Sequence, residues 1–362
     1  MRAILCIVLA SVAAADGAGG QLRFQAKDGK LFVRRGNLGA PIAVDEAHPD
    51  MHPDLALAVS ARSDRATWTL RVDTNCQGEK TMRWTAAALE ARLERAAAAA
   101  LARRQQWDAA AAGFARAVAL DPADARAATD LAAAQLHGGH AREALATLLA
   151  AAARDRVWVV WRAAVDRDLA PVAAAPELRA LAAPAPGHAT LAKLRKAGVA
   201  FSTDGALMVW DRAVGDAMSD RPGPKELRVA DAATGQLRAR LPYREGDARA
   251  VDRALADLGF DTEKVNRRSL AMRAAGSGGP DLSGTLDGGV RVAVTGGRVR
   301  LFVNGRAAGE ARTGSPSDGA WAAKLRGGVL VVTSVNVGDG CGAWVYDDTV
   351  WIPLAGAHTT AP

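Results

Sequence analysis

At 362 residues the chain is long enough for about two or three domains with real cores. Hydrophobic residues make up 49% and charged residues 23%, the composition of an ordinary folded protein, and with aromatics at 5% the cores have to be built mainly from Ala, Leu and Val. The formal net charge of +7 is spread along the chain without a basic stripe and interleaved aromatics, which excludes nucleic acid as an expected partner.

The chain opens on MRAILCIVLASVAAADGAGG. A short basic start at Arg2, an apolar run from Ala3 to Ala15 and the small residues Ala13, Ala14 and Ala15 before Asp16 predict a cleaved signal peptide over 1–15. The apolar run is short for a membrane span, and no later segment is long and apolar enough for one. The expectation is a periplasmic or secreted protein with no membrane span after cleavage. Cys6 leaves with the leader, so Cys76 and Cys341 remain. An even count in an oxidising compartment permits one disulfide between them; two buried free thiols are the alternative.

From 21 to 83 the text is strand-like. GKLFVRRGN, ALAVSAR and the alternating ATWTLRVD are separated by Gly, Asn, Pro and Asp, which predicts an N-terminal β module. From 84 to 183 it becomes Ala-, Leu- and Arg-rich with helical spacing. AAPAPGHA and then ATLAKLRKAG predict a linker and short helix over 184–198. From 199 to 356 strand-like text returns, interrupted by one helix, GDARAVDRALADLGF, that ends on a Gly. The two β zones echo each other: KLFVRRG near the start and VRLFVNGR near the end both run a Leu-Phe-Val strand into a Gly turn. The predicted fold class is therefore α+β and multidomain, with a central helical array flanked by antiparallel β modules.

Within the helical zone the spacing is periodic. Ala110 and Ala144, Phe114 and Leu148, and Ala117 and Ala151 are each separated by the same 34-residue step, and residue type agrees at every pair: small, large apolar, small. Small residues allow two antiparallel helices to approach closely, while the large one fills the gap against the next hairpin. Pro122 sits just past a helix end, where its missing N–H costs nothing and its ring stops continuation.

These residues resemble the tetratricopeptide repeat. WDAAAAGFARAVALDP supplies Trp107, Ala110, Phe114, Ala117 and Pro122; the next unit supplies Leu131, Ala132, Gly139 in the turn, Ala144, Leu148 and Ala151. There are departures. The first unit's leading helix lacks the Leu-Gly pair, Gln135 replaces an aromatic, and Arg156 stands where a terminating Pro would fall. RVWVVWRAAVDRD and APELRALA make a partial third unit, so the resemblance spans roughly Leu89 to Ala183. It implies a non-catalytic interaction or scaffold protein of the bacterial cell envelope, whose first helices line a face that holds a segment of another protein. On this chain that face includes Arg92, Arg95, Arg103 and Arg126, which would suit an acidic peptide; alternatively they are simply solvated helix faces. Ala99 occupies the place of the Asn that clamps a terminal carboxylate in this family, so carboxyl-terminal capture is not implied. The β zones, in HPDMHPDLALAVSARSDRATWTLRVD and in FSTDGALMVWD with KELRVADAATGQL, resemble β-propeller blades.

Chemistry-bearing patterns are sparse. His48 and His52 lie with Asp45, Glu46, Asp50 and Asp54 in DEAHPDMHPD, but Pro49 and Pro53 break the helix that would converge them on a metal, so a turn-rich loop is expected. GDGCGAWVYDD reads as a turn cysteine. No nucleophile elbow, phosphate loop, dinucleotide fingerprint or calcium loop appears, so no catalytic residue, metal or cofactor is expected. Two other readings remain open: an envelope enzyme with its site in the C-terminal β region, and a structural subunit of an envelope assembly.

Overall fold

The structure is a computed structural model that describes residues 12–13, 22–27, 30–42, 56–64, 66–74, 78–216, 222–263, 265–273, 281–313, 316–325, 327–338 and 343–354. Cys76, Cys341, the histidine-bearing stretch 45–54 and all of the expected leader except Val12 and Ala13 lie outside those residues. The chain is mixed α+β and divides into two compact units, one ending at Leu181 and one beginning at Ala182.

The first unit opens with β1 (Val12–Ala13), β2 (Arg23–Lys27), β3 (Lys30–Arg35) and β4 (Leu38–Ile42), an antiparallel sheet in chain order. A second antiparallel sheet follows, made of β5 (Ala56–Asp64), β6 (Thr67–Thr74) and β7 (Gly78–Thr85). Alternation places Phe24, Leu31, Val33, Leu70 and Val72 on the inner faces, and Phe24 meets Trp68 with ring centroids 5.1 Å apart. Strand β7 runs directly into helix α1 (Ala86–Ala102). Thr85 ends the strand and also caps the helix, its Oγ1 accepting from the Ala88 N–H at 3.1 Å. Leu89 and Leu93 of α1 enter the same core as the two sheets.

Helices α2 (Trp107–Leu120), α3 (Ala125–His137), α4 (Ala141–Ala152) and α5 (Arg156–Val165) follow, each packed on its predecessor through turns of three or four residues. The short helices α6 (Ala170–Ala173) and α7 (Pro176–Arg179) close the unit. Ala110, Ala117, Ala132, Ala144 and Leu148 have no exposed surface, and Phe114, Leu131 and Ala151 are also buried. Gly113 shows why small residues are needed: a Cβ there would stand 2.8 Å from the Ala98 Cβ.

The period is also written in the backbone. Gln105 and Gly139, one period apart, are both left-handed, with φ of 59° and 84°. The Gln106 N–H donates to the Leu101 carbonyl at 3.1 Å, and the His140 N–H donates to the Gln135 carbonyl at 2.8 Å. The Gln105 N–H donates to Ala102 at 2.8 Å, and the Gly139 N–H donates to Leu136 at 3.0 Å. Each pair of bonds is the Schellman closure of a helix end, made twice. After the hairpin, the Asp121 and Asp155 N–H groups donate to Ala117 and Ala151 in the same way.

The second unit begins with α8 (Leu191–Ala197), capped by the Thr190 Oγ1 and ended by Gly198 at φ 90°. Then come β8 (Ala200–Ser202), β9 (Leu207–Asp216), β10 (Pro222–Asp231), β11 (Leu237–Tyr243), α9 (Ala248–Asp257), β12 (Phe260–Thr262) and β13 (Arg268–Ser269). A meander of β14 (Ala271–Arg273), β15 (Asp281–Leu286), β16 (Val290–Thr295), β17 (Arg298–Val303) and β18 (Arg306–Arg312) forms a five-stranded sheet. The chain then returns through β19 (Pro316–Leu325), β20 (Gly328–Gly338) and β21 (Ala343–Pro353) to complete a nine-stranded sheet in which β21 pairs with β9. At its centre that larger sheet is buried on both faces. Val329 and Val331 of β20 meet Val292 and Leu301 of the meander, whereas Leu330 and Val332 point to Phe201, Trp210 and Trp351.

The described strands form no closed propeller. The two passages that resemble them lie in different units and in sheets of three and nine strands, and no sheet among the described residues closes into a barrel or propeller. In the second passage two aspartates start turns. The Asp231 carboxylate accepts from the Ala233 and Thr234 N–H groups at 3.0 and 2.9 Å, and Asp204 accepts from Ala206 at 3.0 Å. Such a turn serves any hairpin.

Candidate functional site

Helices α1, α3 and α5, the first of each successive pair, are laced together by charge. Arg95 of α1 donates through Nε to the Asp130 carboxylate of α3 at 2.8 Å and lies 3.8 Å from Asp124. Arg162 of α5 approaches the other oxygen of Asp130 at 3.6 Å and also pairs with Asp166 one turn on. Asp130 is thus shared between two neighbouring helices. Arg95 and Arg162 are held in place and their charge is largely met.

Arg92 and Arg126 are different. They are one 34-residue period apart, and neither lies within ion-pair distance of a carboxylate among the described residues. Each lies over a tryptophan instead. The Arg92 guanidinium is 4.3 Å from the centre of the Trp84 ring, at the end of β7, and that of Arg126 is 5.0 Å from the ring of Trp158 in α5. Trp158 is buried and fixed, its Nε1 donating to the Thr129 hydroxyl at 3.2 Å. Stacking holds a guanidinium by its face and leaves the N–H groups around its edge available to a ligand. Burial lowers the pKa of Arg92; Asp124 opposes that shift, and Arg95 and Arg126 add to it. A partner carboxylate would relieve this mutual repulsion.

Asp155 closes the site from the α5 end. Its side chain caps the helix, accepting from the Trp158 N–H at 2.9 Å. Burial raises its pKa, against the cap bond and the charge of Arg126.

Of the four expected partner-binding residues, the structure gathers Arg92, Arg95 and Arg126. Arg103 is not in the cluster. It is exposed at the end of α1, about two turns beyond Arg95, where a cation suits the helix dipole. The expected basic face is therefore a mixed one, because Asp124 and Asp130 neutralise Arg95. Sequence reasoning missed Trp84, Trp158, Asp130 and Arg162. The spacing of Arg92 and Arg126 was a usable signal; their ring partners come from a strand and from the third helix pair and follow no period. Trp107 packs on His137, with ring centroids 4.1 Å apart, and Pro122 stands in the exposed turn between α2 and α3.

In the second unit a comparable cluster joins α8 to the sheet. Arg195 of α8 donates to Asp211 at 2.7 Å and to the Tyr243 hydroxyl at 3.0 Å, and Tyr243 donates to Asp211. Burial, and then Asp211, push Tyr243 above the usual tyrosine range, away from ionisation, and the bond to Asp211 raises Arg195. The three groups pin α8 to the sheet. His188 and Asp261, 3.2 Å apart, form an exposed pair. No three His, Cys, Asp or Glu side chains among the described residues are grouped to hold a metal, and no described helix is long and apolar enough to cross a membrane.

No protein-family model, no curated protein and no solved structure matches this chain.

Proposed function

We propose that this chain is a non-catalytic interaction protein whose helices form a short tetratricopeptide-like array of two repeats and a partial third. The array holds a segment of another protein against α1, α3 and α5. Two recurrences support the repeat reading: buried Ala110, Phe114 and Ala117 matched by Ala144, Leu148 and Ala151, and the left-handed closure at Gln105 matched at Gly139. The observation that carries the functional reading is the pair Arg92 and Arg126, repeat-equivalent and each stacked on a tryptophan without an ion pair. Two guanidinium forks on adjacent helices suit an extended segment with two acidic side chains, each fork worth about 1.5–3 kcal/mol in charge-assisted bonds. The leader-like pattern of 1–15 supports a place in the periplasm or outside the cell.

Fluorescence titration tests this in variants that keep Trp84 and Trp158 and replace the other seven of the chain's nine tryptophans by Phe, since those two lie under the two arginines. Synthetic extended peptides bearing paired acidic residues are expected to change the emission, whereas their amide counterparts are not. Arg92→Gln combined with Arg126→Gln weakens binding by at least tenfold, and Arg103→Gln leaves it unchanged. Acidic peptides that bind the double variant as tightly as the parent would sink the reading.

A further inference from the structure

The meander of the second unit has one dry face and one charged face. Its inner residues, including Val292, Val294 and Leu301, are buried against the nine-stranded sheet. Outward point four arginines, Arg291, Arg298, Arg300 and Arg312, all exposed. Glu310 is the one carboxylate among the described residues of β16, β17 and β18, 3.5 Å from Arg298 and 3.2 Å from Arg300. Register makes the excess sharper: Arg298 is directly opposite Arg312 across the β17–β18 ladder. Like charges in that relation weaken a sheet, and nothing in the packing requires them there. Among the described residues no carboxylate lies within ion-pair reach of Arg312 or Arg291.

Three features define what such a face receives. Every cation on it is arginine, whose planar fork matches phosphate oxygens. The aromatic on the face, Phe302, has its ring covered by the Arg291 guanidinium at 4.1 Å, so it offers no platform for a nucleic-acid base. The cations spread over three neighbouring strands of an open sheet, a layout that meets many phosphates side by side in a surface.

We propose that the outer face of β16–β18 rests on an anionic phospholipid bilayer through the lipid phosphates, giving the chain a peripheral, reversible membrane contact that is independent of the helical groove. Each basic residue near an anionic surface contributes about 1 kcal/mol, or roughly fivefold in partitioning.

Co-sedimentation of the full chain with vesicles tests this. At low ionic strength it is expected to bind phosphatidylcholine mixed with phosphatidylglycerol, not phosphatidylcholine alone, and to be released by salt. Arg298→Gln with Arg312→Gln lowers the partition coefficient by roughly 25-fold. Glu310→Gln raises it about fivefold, and this gain decides the matter if the double variant melts early. Equal binding to neutral vesicles, or no gain from Glu310→Gln, overturns the proposal. So does a single-stranded oligonucleotide that competes the chain off the vesicles at equal phosphate, since the face would then serve nucleic acid.

Discussion

Asp155 does two jobs that pull its proton in opposite directions. As the cap of α5 it needs an acceptor oxygen for the Trp158 N–H, and as a half-buried carboxyl it is better neutral. Its folded pKa lies above its unfolded one, so the folded chain holds this proton more tightly. The associated stability is full below the ordinary carboxylate value of 3.8 and is lost as pH rises through the raised value. Asparagine keeps the acceptor and removes the charge. Asp155→Asn is therefore expected to be at least as stable as the parent at pH 7, and to show less loss of stability above pH 4. Asp155→Ala removes the cap and costs about 1 kcal/mol. Urea titrations across pH check both. Asp231 has the opposite sign: the bond from Arg238, and then its turn N–H groups, lower its pKa, so its contribution is present above 3.8 and is lost on acidification.

At the scale of the element, the two helix closures are the same device built with different residues. Gly139 takes the left-handed conformation freely, whereas Gln105 pays for its Cβ there. Gln105→Gly is expected to stabilise the chain by about 1 kcal/mol, seen as a higher urea midpoint with an unchanged slope. Gly139→Gln should lose a similar amount. This equivalence was half legible in the sequence. The buried small residues and Phe114 share a period with their counterparts, because close helix packing constrains residue type at fixed places. The closure at Gln105 was hidden, because backbone geometry tolerates a non-glycine there and leaves no mark in the text. Strands were legible for the same reason as helices: KLFVRR and ATWTLRVD alternate because one face is dry. Their partners were not legible. The pairing of Tyr346 with Val214 joins segments far apart in the chain, and nothing local to either encodes the choice. The propeller resemblance met no closed propeller among the described strands on that ground, since an Asp-started turn specifies a hairpin and says nothing of the sheet it joins.

Among the described residues, each unit has apolar cores of its own. Leu148 packs with Val159 and Leu169 in the first, and Leu301 packs with Val292 and Val331 in the second. Leu148→Ala and Leu301→Ala each remove a side chain with no exposed surface, and each is expected to cost about 2–5 kcal/mol in the unfolding of its own unit. With no shared neighbours, the double variant should show the sum to within about 0.5 kcal/mol. A coupling above 1 kcal/mol in chemical denaturation would mean the cores are not separate.

The continuity of β7 with α1 has a mechanical consequence for whatever the helices hold. Leu89 and Leu93 root α1 in the sheet core, while Ala98, further along the same helix, meets Ala110 and Phe114 of the next. The helical stack is thus rooted in the sheet core at its α1 end, and a rooted stack bends least at its root. Trp84 and Arg92 stand at the root; Arg126 of α3 and Trp158 of α5 stand further along the stack. A segment held as proposed would therefore take its register from Arg92, the anchor on the stiffest part of the stack.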